Sequence, residues 1–138
     1  MIVVLDFNTL VSGFRGIGDT PPVQLIQFWR DERISVVTSP HIVAKVIAIW
    51  DRPYFAAFMT AELRRCAMVL MASKATWVTP DESVSGVCDD WEDDLLLGTA
   101  VEGGAQYIVT GDRGFRRIER YGSVKILTAQ ERLDIVDL

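Results

Sequence analysis

Apolar residues recur along this chain with two periods. Ile2 to Leu5, Ile34 to Thr38, Tyr107 to Thr110 and Val124 to Leu127 are short runs rich in β-branched residues. Such runs predict strands buried on both faces. The segments between them read as helices. Thr20-Pro21-Pro22 offers a cap followed by proline at the first helical position, which predicts a helix to about Arg33. Ser39-Pro40 repeats that signal, and Ile42, Val46, Ile49 and Trp50 follow at helical spacing until Pro53 ends the pattern. Thr60 caps a longer helix through Leu63, Ala67, Leu70 and Met71. Thr76 to Val78 reads as an edge strand and Asp81 to Val87 as a polar loop. A helix from about Glu92 stops at Gly103-Gly104, and Thr128-x-x-Glu131 is a capping box for a last helix.

Strands alternating with helices imply a mostly parallel sheet covered on both faces, a three-layer α/β/α sandwich. The 138 residues show no repeat, linker or low-complexity stretch, so residues 1–138 are expected to form a single domain. The composition, 49% hydrophobic and 24% charged, excludes a disordered or fibrous chain. Cys66 and Cys88 lack metal-ligand spacing and suggest no disulfide scaffold. No apolar run approaches the ~20 residues that span a bilayer, and the N-terminus lacks the features of a secretion signal. A cytoplasmic protein without a membrane partner is the expectation.

The net charge of −5 is concentrated in one place. Asp89, Asp90, Glu92, Asp93 and Asp94 carry five negative charges, and the remainder of the chain is neutral. Bulk attraction for a polyanion is therefore absent, and any nucleic-acid role needs a local site.

In a parallel sheet, functional groups collect beyond the carboxyl ends of the strands. Three acids qualify: Asp6 after the first strand, Asp112 after the strand through Val109, and Asp94 in the first turn of the helix between them. Converging carboxylates repel one another and raise each other's pKa unless a cation neutralises them. All-oxygen donors favour Mg²⁺ or Mn²⁺ over zinc, and such an ion can activate water and offset charge on a phosphodiester. Each acid taken singly has a plainer reading. Asp6 and Asn8 suit a local turn, Asp93 and Asp94 complement a helix N-terminus, and Asp112 fits a Thr-Gly-Asp turn. Placement of all three at one sheet edge favours the chemical reading.

Val4-Leu5-Asp6-Phe7-Asn8-Thr9, Val37-Thr38-Ser39-Pro40, Arg52-Pro53-Tyr54-Phe55, Asp93-Asp94-Leu95-Leu96-Leu97 and Tyr107-Ile108-Val109-Thr110-Gly111-Asp112 together resemble a known family. In order and spacing the chain is similar to PIN-domain proteins, close to the VapC-like toxins of toxin–antitoxin pairs. That resemblance implies a metal-dependent endoribonuclease acting on RNA, with Mg²⁺ or Mn²⁺ held by Asp6, Asp94 and Asp112. It also implies Asn8 and Thr110 as supporting residues, an antitoxin partner and a homodimer; within the acidic run itself, Asp90 or Asp93 could contribute through water.

The chain departs from the family at one position. Lys45 stands where the resemblance places a Glu, which takes that quartet from −4 to −2. An ammonium there would compete with a metal for the carboxylates, and His41 lies one turn earlier on the same face. Alternatively Lys45 extends into solvent over its apolar stem. The competing function is therefore a weakened PIN-fold module that binds RNA or a partner. Arg113, Arg116 and Arg117 could contact RNA or an antitoxin, or simply form a solvated face. Of the four tryptophans, Trp91 is the one expected to be exposed. A haloacid-dehalogenase-like phosphotransferase, suggested by Asp6-x-Asn8, ranks low because Asn8 cannot shuttle a proton.

Overall fold

In the computed structural model, which describes residues 1–135, six strands form one sheet. They are β1 (Ile2–Leu5), β2 (Ser35–Thr38), β3 (Ala75–Trp77), β4 (Tyr107–Val109), β5 (Arg120–Tyr121) and β6 (Val124–Leu127). The order is β3-β2-β1-β4-β6-β5, parallel throughout except for β5, which pairs antiparallel with β6. The mixed α/β architecture with a mostly parallel sheet is the one expected from the periodicity.

The helices are α1 (Phe7–Arg15), α2 (Pro21–Arg30), α3 (Pro40–Trp50), α4 (Pro53–Ala56), α5 (Ala61–Lys74), α6 (Trp91–Glu102), α7 (Arg113–Arg116) and α8 (Ala129–Leu133). Central strand β1 presents Val3, Val4 and Leu5 to the core on both faces, which is why its run shows no alternation. Around it pack Leu25, Ile42, Val46, Leu97 and Ile108, with Trp29 and Trp50 also buried.

Helix α1, which the apolar pattern left unassigned, begins directly after β1. Asp6 caps it by accepting a hydrogen bond from the Thr9 amide, and Gly16 ends it in a left-handed conformation (φ 70°). Helix α2 stops at Arg30, short of the expected Arg33, because Glu32 turns the chain with φ 59°. The capping box at Thr128 and Glu131 forms as read.

Sheet order reverses direction between β1 and β4. Chain connections run outward from β1 through β2 to β3 on one side, and from β4 to β6 on the other. The register pairs Leu5 with Val109, so Asp6 and Thr110 leave adjacent strand ends side by side. Such a reversal opens a crevice at the carboxyl edge, the usual location of a ligand site in an open parallel sheet.

One close approach supports the segment leading into α6. A Cβ on Gly98 would lie 2.8 Å from the Asp81 carbonyl oxygen, and the Asp81 amide donates to the Gly98 carbonyl at 3.1 Å. The obstacle is backbone, which cannot rotate away. Gly98→Ala is expected to lower stability by about 1–3 kcal/mol, read as a reduced midpoint in urea denaturation.

Candidate active site

Asp6 is almost fully buried at 2% exposure. Its Oδ1 accepts from the Thr9 amide at 2.9 Å, while its Oδ2 accepts a short hydrogen bond from the Thr110 hydroxyl. The same Thr110 oxygen accepts from the Asp112 amide at 3.1 Å. One threonine thus couples the ends of β1 and β4. Burial raises the Asp6 pKa, against the lowering effect of these hydrogen bonds, and the Asp112 charge adds to the rise. Asp112 caps the short helix α7, accepting from the amides of Gly114 (2.8 Å) and Phe115 (3.3 Å).

The acidic run at the start of α6 divides into distinct roles. Asp90 is the cap, accepting from the Glu92 amide at 2.9 Å. Asp93 is pushed up to about 6, first by burial and then by repulsion from Asp90, Asp112, Asp6 and Glu92. Both Asp6 and Asp112 thus act on the Asp93 charge.

Asp94, expected to join those two, is placed differently. Its carboxylate turns to the preceding loop and accepts from the amides of Gly86 (2.9 Å) and Cys88 (2.8 Å). Burial opposes its charge, yet the backbone donors of residues 86–88 prevail and hold it below the ordinary carboxylate range. Asp94 thus fastens the loop at residues 86–88, while the neighbouring Asp93 lines the cleft with Asp112. The two are rotated about 100° apart on the helix, a difference too fine for spacing alone to resolve. The hydrogen-bond partners separate them: Asp94 meets the loop amides, whereas Asp93 is raised by burial first and by the neighbouring acids second.

Lys45 does not extend freely into solvent. It grips Glu92 with Nζ at 3.0 and 3.1 Å from the two carboxylate oxygens, and lies 5.2 Å from the Phe7 ring centroid. His41 Nε2 approaches the same carboxylate at 3.6 Å. Asn8 is exposed and hydrogen-bonds to no carboxylate among the described residues.

Asp89, Asp90, Asp93 and Asp112 line a cleft of about 360 Å³ whose other walls include Val87, Cys88, Phe115, Arg117 and Ile118. Of the three arginines singled out, Arg117 reaches this cleft, Arg116 borders a separate hollow with Glu119 and Glu131, and Arg113 is exposed. Burial and the adjacent acids push the Cys88 thiol up to about 12, which removes it as a nucleophile.

Among the described residues, no three His, Cys, Asp or Glu side chains form a ready-made coordination shell. The donor chemistry nevertheless suits a hard cation. Asp6, Asp93 and Asp112 offer only oxygen, and their mutual repulsion is what a divalent ion relieves. Mg²⁺ keeps several waters and needs only one or two direct carboxylates.

A sequence profile described as the PIN domain matches residues 2–114. VapBC2 from Rickettsia felis, solved bound to a DNA fragment from its promoter, is similar in fold with a TM-score of 0.58 at 15% identity, covering 91% of this chain and 97% of that one. FitAcB from Neisseria gonorrhoeae gives a TM-score of 0.61 at 15% identity over 93% of this chain and 98% of that one. No curated protein matches the sequence.

The two adjacent aspartates predict opposite mutational effects. A carboxylate whose folded pKa is raised from 3.8 to about 6 costs stability as pH rises through that window. Asp93→Asn should therefore stabilise the metal-free protein at pH 7, by on the order of 1 kcal/mol after solvent screening, and do little at pH 4. Asp94→Ala strands two amides and should destabilise by about 2–3 kcal/mol at pH 7. Denaturation of both variants in chelator at the two pH values checks the pair.

Proposed function

The chain belongs to the PIN-domain family, and from that premise we propose that it is a divalent-metal-dependent endoribonuclease, the toxin of a toxin–antitoxin pair. The observation that carries this reading is the shared field of Asp6, Asp93 and Asp112 at the reversal point of the sheet. Burial and repulsion raise two of these acids, a condition that favours uptake of a cation and is common at functional sites.

Asp6, Asp93 and Asp112 would hold Mg²⁺ or Mn²⁺, which supplies water activation and charge neutralisation at a phosphodiester. The chain's own residues do the positioning. Thr110 fixes the Asp6 carboxylate and the Asp112 backbone with one hydroxyl group. Asp94 anchors the loop at residues 86–88 to the first turn of α6, so Asp93 projects from a fixed base. Arg117, which lines the same cleft, would receive a phosphate of the RNA strand. The likeness to VapBC2 and FitAcB supports an antitoxin partner, and the VapC-like sequence pattern implies a homodimer. Among the described residues no helix is long and apolar enough to cross a membrane.

A second reading rests on the Lys45–Glu92 pair. With a cation on the α3 wall, the protein would be a PIN fold of reduced metal affinity that binds RNA or a partner. Calorimetric titration of Mn²⁺, alongside cleavage of single-stranded RNA, separates the two. The nuclease reading expects saturable Mn²⁺ binding and metal-dependent cleavage, both lost in Asp6→Asn and Asp93→Asn. RNA binding without cleavage in either metal, and metal uptake appearing only in Lys45→Glu, would establish the second reading instead.

A further inference from the structure

The acidic turn poses a problem for any RNA substrate. Five negative charges within residues 89–94 repel a polyanion, and the rest of the chain contributes no net positive charge. Affinity must then come from contacts that do not depend on bulk charge. Base stacking on an aromatic ring is one, because every base has a π-face, and such platforms combine with local cations in single-strand binding sites.

The first turn of α6 carries such a combination. Trp91 is 66% exposed, the most exposed of the large hydrophobic residues. Its ring is nonetheless supported, since the His41 ring of α3 lies 5.7 Å away at an interplanar angle of 56°. Glu92 comes next, holding Lys45 at 3.0 Å with His41 at 3.6 Å. Asp93 follows. At about 100° per residue, Trp91 and Asp93 are each one step from Glu92 and about 160° from one another around the helix. The first turn of α6 therefore holds an aromatic platform and a tethered ammonium against α3, while Asp93 of the same turn lines the cleft.

We infer that Trp91 and Lys45 form a nucleotide subsite for single-stranded RNA, with one base stacked on the Trp91 indole and its phosphate on the Lys45 ammonium. This deepens the ribonuclease reading and rests on it for the identity of the strand. Glu92 acts as a resident competitor, occupying Lys45 until a phosphate arrives. Trp91 and Lys45 are binding residues; the acids beyond them are the reacting side of the rim. The subsite lies toward α3, apart from the Arg117 cleft, so the strand would cross the acids with a contact on either side.

The test uses the full chain in an Asp6→Asn background, which takes cleavage out of the measurement. A fluorescein-labelled decauridylate serves as probe, followed by anisotropy and by quenching of tryptophan fluorescence. Trp91→Ala should raise Kd about five- to 150-fold, the range expected for loss of one stacked base, and abolish most of the quench. Trp91→Phe should retain most of the affinity. Lys45→Ala should weaken binding and reduce the salt slope by about 0.7, the amount expected for one single-strand phosphate. Glu92→Gln should tighten binding by freeing the ammonium.

If Lys45→Ala and Glu92→Gln shift Kd in the same direction, the pair is only a structural bridge and the inference fails. It also fails if the parent does not bind the probe, or if Trp91→Ala binds it as the parent does. Loss of a protein partner in Trp91→Ala with RNA affinity intact would likewise overturn it. Metal-dependent cleavage by the unsubstituted chain with Trp91-independent binding removes this subsite and leaves the nuclease. Trp91-dependent binding without cleavage in any metal removes the nuclease and leaves the subsite.

Discussion

The candidate site depends on the parallel pairing of β1 with β4. Its register puts Leu5 beside Val109, and the next residue on each strand meets across the edge as Asp6 and Thr110. A shift of one residue would turn every side chain of a strand to the opposite face. A slip of β1 that drew Asp6 inward would carry its carboxylate off the sheet edge into the apolar interior, away from Thr110. The charged group at the strand end therefore helps fix the register, although burial disfavours its charge.

That opposition accounts for the electrostatics. Asp6 is held in a dry setting by the amide of Thr9 and the hydroxyl of Thr110, and it still rises because desolvation outweighs both. Asp93 rises because burial and then its acidic neighbours oppose its charge, whereas Asp94, adjacent in sequence, falls because it faces backbone donors. The same residue type in consecutive positions thus supplies an unstable charge and a stabilising one. Environment decides the role, and the environment of each is set by a helical rotation of about 100°.

Much of the fold was legible because its strands are uniformly apolar and its helices open with proline or a capping residue. Ser39-Pro40 and Thr128-x-x-Glu131 each mark the helix they precede. Helix α1 escaped notice because it follows β1 with no loop, so one residue, Asp6, serves as strand end, helix cap and site acid. The short α7 and β5 carry too few residues to show a period. At the site, sheet topology was readable and so was the edge at which acids gather. The choice within residues 89–94 was not, because it depends on which carboxylate meets the amides of residues 86–88. The Lys45–Glu92 pair was equally hidden, since it joins positions 47 residues apart.

Several of these acids also terminate helices. Asp6 caps α1, Asp90 caps α6 and Asp112 caps α7. Removing any of them exposes main-chain donors as well as deleting a charge. A lineage that abandoned hydrolysis would still be held to these residues by its need to fold, so the acids would outlast the reaction. The α3 wall has no such tether, because Ser39 opens that helix and position 45 lies in its interior. Drift is least restrained there, and that is where this chain carries its lysine.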